Sequence, residues 1–285
     1  MTNLQKRKLQ DKIFHILVLS ATLFGLVVLV ILLKEILNDG LKWINIDFFR
    51  NFASRFPRKS GIKAPLFGSL WIIGLTALFA FPIGVGSALY LEEYLPKNWL
   101  TNLIQVNISN LAGVPSIVFG ILGLGIFVNT LGFGRSILSG ALTLALLILP
   151  VIIVSAQEAI KSVPKELKQG AYALGCTKWQ MITGVLLPYA MPGILTGTIL
   201  AIARALGETA PLLMVGAVTF IAYTPEGIFD SFTTLPMQIY NWTSRPKVDF
   251  HHIAAAAIIV LLILLLGINS LAIYLRNRYQ SRMSR

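Results

Sequence analysis

Six stretches of about 20 apolar residues dominate the sequence, and their length limits what the chain can fold into. They lie at about 13–36, 66–91, 109–131, 136–157, 188–215 and 253–275. A helix needs about 20 apolar residues to cross the hydrocarbon core of a bilayer. Only 13% of the 285 residues are charged, against about 25% in a soluble domain. The sequence therefore predicts an all-α integral membrane protein with six transmembrane helices.

The N-terminal end resembles a secretory signal peptide only superficially. Four basic residues (Lys6, Arg7, Lys8 and Lys12) precede the first apolar run. That run is too long for the apolar part of a signal peptide, and no small-residue cleavage site follows it. The first window is therefore predicted to remain as a transmembrane helix.

The distribution of Lys and Arg predicts the orientation of the chain. The termini and even-numbered loops hold 13 of these residues, whereas the odd-numbered loops hold nine, six of them between Lys42 and Lys63. The positive-inside rule then favours cytoplasmic termini, and it explains the net charge of +12 without nucleic acid.

Three regions follow from these windows. Residues 1–65 comprise the N-terminal cytoplasmic tail, the first helix and an external loop. Residues 66–275 form the main transmembrane domain, and 276–285 form a basic cytoplasmic tail.

The first external loop, about 37–65, is unusually basic for its side of the membrane. Arg55, Arg58, Lys59 and Lys63 fall within nine residues. The loop either attracts an anion or an acidic partner or is an ordinary solvated segment, and the sequence leaves both interpretations open.

Arg204 and Glu208 are the only charged residues between Lys178 and Glu226. A charge at the centre of a membrane helix costs about 2.5–3.5 kcal/mol on insertion scales, so it is retained where a partner, water or ligand compensates it. Positions four apart on one helix are neighbours, and we expect the pair to share the fifth helix.

The pair allows three interpretations. It is a static ion pair, a proton relay through Glu208, or part of an oxyanion pathway. The planar guanidinium group matches a tetrahedral oxyanion with two parallel hydrogen bonds. In the pathway interpretation Arg204 contacts the anion, Glu208 holds and partly neutralises the arginine, and Thr209 adjoins them.

The largest predicted cytoplasmic loop, 158–187, has the pattern of a short amphipathic helix. Pro164 is suited to a first helical turn, and Gly175 to a sharp turn at a helix end. Apolar residues recur at helical spacing around that turn: Leu167, Ala171, Leu174, Trp179, Ile182 and Leu186. This apolar face must pack either on a partner or on the underside of the same chain.

The same loop resembles the signature of ABC-importer permeases. Gly175 is followed by nine residues and then by Val185-Leu186-Leu187-Pro188, whereas Gln169-Gly170-Ala171 stands where the family has Glu-Ala-Ala. The resemblance implies a coupling helix at about 164–180 that docks on an ATPase subunit. The implied coupling residues are Gln169, Gly170, Ala171, Gly175, Leu187 and Pro188.

Two further segments, Ala112–Gly120 and Ala203–Leu213, resemble phosphate-importer permeases. The string Gly207-Glu208-Thr209-Ala210-Pro211 looks like the PstA type. The family implies a type I ABC-importer fold in the prokaryotic cytoplasmic membrane and a high-affinity phosphate importer. Its implied partners are a second permease (PstC type), an ATPase dimer carrying ATP-Mg (PstB type) and an extracytoplasmic phosphate-binding protein (PstS type). Related arginine strings in sulfate and molybdate permeases keep another oxyanion open as substrate.

The sequence holds no motif for catalysis or cofactor binding by the chain itself. A P-loop motif is absent, the single cysteine (Cys176) cannot form an internal disulfide or a zinc site alone, and His251-His252 lack a ligand cluster. We therefore expect a non-enzymatic subunit with no catalytic residues, cofactor or metal.

The alternative function is that of an ion-coupled secondary transporter. Such a carrier should show two related halves, which the sequence lacks.

Overall fold

The computed structural model describes residues 3–96, 98–218 and 220–283, which contain no strand. Its α-helices are α1 (Asn3–Gly40), α2 (Ile46–Arg50), α3 (Lys63–Leu89), α4 (Trp99–Leu111), α5 (Ser116–Gly123), α6 (Ile137–Lys161), α7 (Lys165–Ala173), α8 (Lys178–Met181), α9 (Leu187–Leu206), α10 (Ala210–Val215), α11 (Leu235–Thr243) and α12 (Val248–Met283). Wider π-helical turns extend or join helices at Tyr90–Tyr94, Leu124–Thr130 and Ile182–Leu186. Lys97, counted above for orientation, and the last two residues of the basic tail lie outside the described residues.

Five helical stretches in the described residues are long and apolar enough to span a membrane. They are Asp11–Trp43, Lys63–Tyr94, Ile137–Lys161, Lys178–Leu206 and Val248–Arg278. A sixth span is obtained if Trp99–Leu111 and Ser116–Thr130 are counted together. The all-α membrane class is confirmed.

The third predicted span, 109–131, is not a single straight helix. Its first residues belong to α4, and the axes of α4 and the next helix differ by 102°. Pro115 lies between them in an extended conformation (φ −55°, ψ 135°). Proline disfavours helical geometry in the residue before it, so the chain turns within a continuously apolar window.

The main core lies where α3, α6 and α9 pack together. Ile72 of α3, Ile148 and Ile152 of α6 and Ile194 of α9 are almost completely buried there. The Thr76 hydroxyl donates a hydrogen bond of 3.2 Å to the Ala141 carbonyl, which links α3 to α6. Because these three helices cross the molecule, they fix the segments at both of its ends.

Each end of the helical bundle gathers a different set of segments. We call one end the terminal face; it comprises the start of α1, the turn Tyr90–Tyr94, segment 162–186 and the end of α12. The other end, the opposite face, comprises 41–62, 131–136 and 216–247. A second apolar cluster containing Phe48, Trp242 and Phe250 closes the opposite face.

Helix α1 lies at the edge of this arrangement. It packs along α12, and no residue in its most apolar stretch is buried within the chain. Near the opposite face Trp43, just beyond α1, stacks on His252 with ring centroids 6.3 Å apart. Asp39 Oδ2 lies 3.7 Å from His252 Nδ1.

Candidate functional site

Arg204 and Glu208 lie on the two sides of a helix break. Helix α9 ends at Leu206, and α10 begins at Ala210 with Pro211 in its first turn. The expectation of one helix over 188–215 is therefore wrong. Gly207 lowers helix propensity and proline lacks the N–H that would continue the helix, so Glu208 belongs to the connection.

The two side chains nevertheless remain in contact. Arg204 Nε and Glu208 Oε1 are 3.7 Å apart, a separation that is too long for a hydrogen bond. The Arg204 side chain is 50% exposed and that of Glu208 is 18% exposed. Among the described residues no other ion pair or hydrogen bond reaches its guanidinium group. Both terminal amino groups of the guanidinium thus stay available to an oxyanion.

The surface around Arg204 is not covered by this chain. Leu200, one helical turn earlier, is 65% exposed, and Gly207 is exposed as well. Thr209 is half-buried beside the pair, and its side chain makes no capping hydrogen bond to α10. A charged side chain within a membrane span is costly to expose to lipid, so we expect this surface to face water or another protein.

The predicted coupling helix at about 164–180 consists of two helices. Helix α7 ends at Ala173, and Gly175 adopts φ +80°, a left-handed conformation that favours glycine. The Cys176 N–H then donates to the Ala171 carbonyl at 3.1 Å. Thr177 and Gln180 form a reciprocal capping box that starts α8. Gly175 therefore has the turning role that the sequence predicted.

The apolar face predicted for this segment is divided between the core and the surface. Ala171, Ile182 and Leu186 are buried in the main core. Four other apolar residues remain exposed: Leu167 (40%), Tyr172 (46%), Leu174 (86%) and Trp179 (65%). We call these four residues the apolar docking face. Of the family-implied coupling residues, Gln169, Gly170 and Gly175 are exposed, and Leu187 and Pro188 are half-buried.

Two carboxylates that the sequence analysis missed lie beside this segment. Glu92 and Glu93 occupy the π-helical turn after α3, and their side chains are only 11% and 12% exposed. The Gln157 amide donates to Glu92 Oε1 at 2.9 Å, and Lys161 Nζ lies 3.5 Å from the same oxygen. Glu93 Oε1 accepts from Lys168 Nζ at 2.5 Å.

A third lysine completes the contact with α8. Lys178 Nζ donates to the Glu93 carbonyl and lies 4.4 Å from the centroid of the Tyr94 ring. The only sequence feature that could have indicated these contacts was the acidic pair at the end of an apolar window. Such a pair is also typical of an ordinary membrane boundary, so it does not predict the contacts.

The opposite face brings basic residues from two distant loops together. Arg55 of the first loop and Arg245 of the last line one cavity of about 670 Å³, together with Phe56 and Phe220. Arg245 also lies over the Phe250 ring, 4.5 Å from its centroid. Two arginines from different loops therefore line this cavity. If the first loop attracts an anion or an acidic partner, the last loop contributes to the same surface.

The described residues contain no group of three His, Cys, Asp or Glu side chains that could hold a metal ion. Cys176 is a free, half-buried thiol next to the turn at Gly175. Arg204, Glu208 and Thr209 at the helix break remain the side chains that the sequence predicts to contact a solute.

Comparison with known proteins agrees with this architecture. The family model "Binding-protein-dependent transport system inner membrane component" matches residues 80–285. The chain is 37% identical over 252 residues to the probable ABC transporter permease protein YqgI of Bacillus subtilis (strain 168), covering 82% of this chain and 84% of that protein. It is 33% identical over 250 residues to the phosphate transport system permease protein PstA of Mycobacterium leprae (strain TN), covering 85% and 80%.

Among solved structures, a chain of the bacterial alginate ABC transporter in complex with an alginate pentasaccharide-bound periplasmic protein has the same fold. Its TM-score is 0.70 over 96% of both chains, at 18% identity. These findings define a multi-pass permease subunit of the ABC-importer class, located in the prokaryotic inner membrane. The chain belongs to the family of binding-protein-dependent transport system inner membrane components. The predicted type I fold and the resemblance to PstA-type permeases are confirmed.

Proposed function

We propose that this chain is a membrane-spanning subunit of an ATP-driven, high-affinity importer of inorganic phosphate. The observation that carries the proposal is Arg204, a half-exposed arginine with both terminal amino groups available. It lies in a chain with relatives that are named phosphate transport permeases. A guanidinium group binds a tetrahedral oxyanion through two parallel hydrogen bonds.

A second permease, of the PstC type, completes the pathway by covering the exposed surface of α9. In this arrangement Arg204 faces a passage between the two subunits, and lipid is kept away from the charge. Glu208 partly neutralises the arginine and so lowers its affinity for the anion. Weak binding is required here, because a site that binds too tightly would not release its ion. Thr209 adds a hydroxyl group at the same level.

The terminal face is cytoplasmic in this proposal, and the apolar docking face binds an ATPase subunit of the PstB type. Exposed aromatic and aliphatic side chains on short helices are suited to a groove on a partner. ATP-Mg is bound by that partner, since this sequence has no P-loop motif. The substituted residue Gln169 lies on the exposed side of α7, where a polar contact with the ATPase is possible.

The opposite face receives an extracytoplasmic phosphate-binding protein of the PstS type. The cationic lining contributed by Arg55 and Arg245 supports an approach by an acidic surface or by phosphate itself. Substrate then passes inward to the helix break as the bundle alternates between outward-open and inward-open states.

The proposal is tested by phosphate uptake into proteoliposomes that contain both permeases and the ATPase, with binding protein and phosphate outside. Arg204→Lys and Glu208→Gln should each reduce uptake. Leu200→Ala, on the same surface one turn away, serves as the control for packing. Normal uptake in both charge variants would exclude Arg204 and Glu208 from the pathway.

Two further measurements test the substrate and the energy source. Excess sulfate and molybdate should not compete with labelled phosphate; competition by either would assign the chain to another oxyanion. Phosphate uptake by this chain alone, without an ATPase, would instead establish a secondary transporter.

A further inference from the structure

The turn Tyr90–Tyr94 connects α3 to the two ends of the coupling segment, α7 and α8. Glu92 is held by Gln157 and Lys161 at the end of α6, immediately before α7. Glu93 is held by Lys168 of α7 through its carboxylate and by Lys178 of α8 through its carbonyl. The turn thus contacts the end of α6, helix α7 and the first residue of α8.

These contacts are not ordinary surface ion pairs. The two carboxylates are nearly buried, whereas the lysines approach them from the exposed side. Removing one partner of a buried pair leaves an uncompensated charge, which is much more costly than losing an exposed contact. The contacts therefore favour movement of the coupling segment and α3 together.

We propose that Glu93 is a positioning residue that transmits movement of α7 and α8 to the membrane helix α3, while Glu92 fixes the same turn to the end of α6. The inference rests on the proposed function, in which an ATPase moves this segment. Apolar packing already connects the segment to the core through Ala171, Ile182 and Leu186. The lysine–carboxylate contacts connect the segment to α3 as well. Because the other end of α3 lies near the opposite face, movement of α3 would reach that face.

The chain offers a matched set of variants for the test. Glu93→Gln and Lys168→Gln each remove one charge of the closest pair, and the double variant removes both. Lys168→Arg keeps the charge. Glu166→Gln is the control, because Glu166 is an exposed carboxylate on the same helix, and among the described residues no ion pair is found for it.

The first readout is the number of phosphate ions transported per ATP hydrolysed in the assembled transporter. Each single Gln variant should lower this ratio roughly five- to tenfold, the range of a modest coupling free energy. ATP hydrolysis without the binding protein should change little. The double variant should be no worse than either single variant, because they remove the same interaction. Lys168→Arg and Glu166→Gln should behave like wild type.

The second readout is independent of transport. Amide hydrogen exchange in the full chain should accelerate in α7 for Glu93→Gln, because only α7 is held by the Glu93 carboxylate, and should remain unchanged in α11. An unchanged exchange pattern would overturn the positioning role even if phosphate transport succeeds. Unchanged ratios, or losses explained only by less assembled complex, would overturn it too. Failure of the wild-type transporter to move phosphate, with exchange as expected, would refute only the proposed function.

Discussion

Glu208 contacts Arg204 from beyond the end of the helix that carries the arginine, with 3.7 Å between Oε1 and Nε. The separation leaves a charged contact without a fixed hydrogen bond. Because the carboxylate is held by the connection at 207–209 and not by α9, a shift of α10 relative to α9 would change the distance. The pair is thus suited to a site that binds and releases an anion in turn.

The two charge variants at this pair should change the Michaelis constant for phosphate in opposite directions. Arg204→Lys keeps the charge but loses the two-pronged geometry, and a charge-assisted hydrogen bond contributes about 1.5–3 kcal/mol. We therefore expect KM to rise by about tenfold or more. Glu208→Gln leaves the arginine uncompensated, so phosphate should be held more tightly, and both KM and the maximal rate should fall. Initial uptake rates over a range of phosphate concentrations measure both effects. A static ion pair would leave KM unchanged in the two variants.

Gly68 should not tolerate a side chain, whereas Gly74 on the same helix should. A Cβ at position 68 would lie 2.0 Å from the carbonyl oxygen of Thr233, while nothing lies within 4 Å of one at position 74. Overpacking typically costs about 1–3 kcal/mol. Gly68→Ala should lower the thermal unfolding midpoint of the purified chain in detergent by several degrees. Gly74→Ala should leave it unchanged or raise it, since alanine favours helix by about 0.5–1 kcal/mol. Equal midpoints for the two variants would contradict the close approach of Thr233 to α3.

The apolar docking face should affect assembly and not folding. Leu174 and Trp179 are 86% and 65% exposed, so replacing both by alanine removes little packing within the chain. Tryptophan is enriched among the few interface residues whose truncation costs about 2 kcal/mol or more of binding. We expect at least about tenfold less ATPase subunit to co-purify with the double variant.

Tyr240→Ala is the matched control for this experiment, because Tyr240 is an exposed aromatic residue (55%) near the opposite face. Its ATPase recovery should equal that of wild type. An ATPase yield that is unaffected by Leu174→Ala and Trp179→Ala together would place the docking surface elsewhere.

The loop 226–230 should lose order in acid. The Asp230 carboxylate accepts hydrogen bonds from the Gly227 and Glu226 N–H groups at 2.8 and 2.9 Å. These bonds hold the pKa of Asp230 below its ordinary value of 3.8. A lowered pKa in the folded state means that the stabilisation is fully present above the ordinary value and is lost as the pH falls through the lowered one. Amide exchange at Glu226 and Gly227, corrected for its intrinsic pH dependence, should therefore accelerate below about pH 4. Asp230→Asn should abolish this pH dependence.

Hydropathy was sufficient to predict the membrane class and the approximate spans, because the free energy of transfer depends on the length of an apolar run. It could not predict the 102° bend after Leu111 or the break at 207–209. Glycine and proline mark both places in the sequence, but the same residues also occur inside helices: Pro150 and Pro192 lie within α6 and α9. Tertiary packing decides which of these positions turns the chain.

The candidate sites were predictable to different degrees. Arg204 and Glu208 stand out because charge is rare in their surroundings, and Gly175 because a helix must end near it. Glu93 and Lys168 are 75 residues apart in sequence, and neither is unusual among the charged residues near a membrane boundary. Their pairing depends on how the end of α3 packs against α7, and a local sequence pattern cannot predict that packing.

The packing of α1 against α12 has a consequence for the order of biogenesis. Because α12 begins only at Val248, α1 must enter the bilayer long before its partner has been synthesised. Its apolar middle buries nothing within the chain, so it can remain stable in lipid during that interval. The contacts of Trp43 and Asp39 with His252 can form only after α12 has been synthesised. Variants at these three residues are accordingly expected to delay maturation of the newly made protein while leaving its insertion intact.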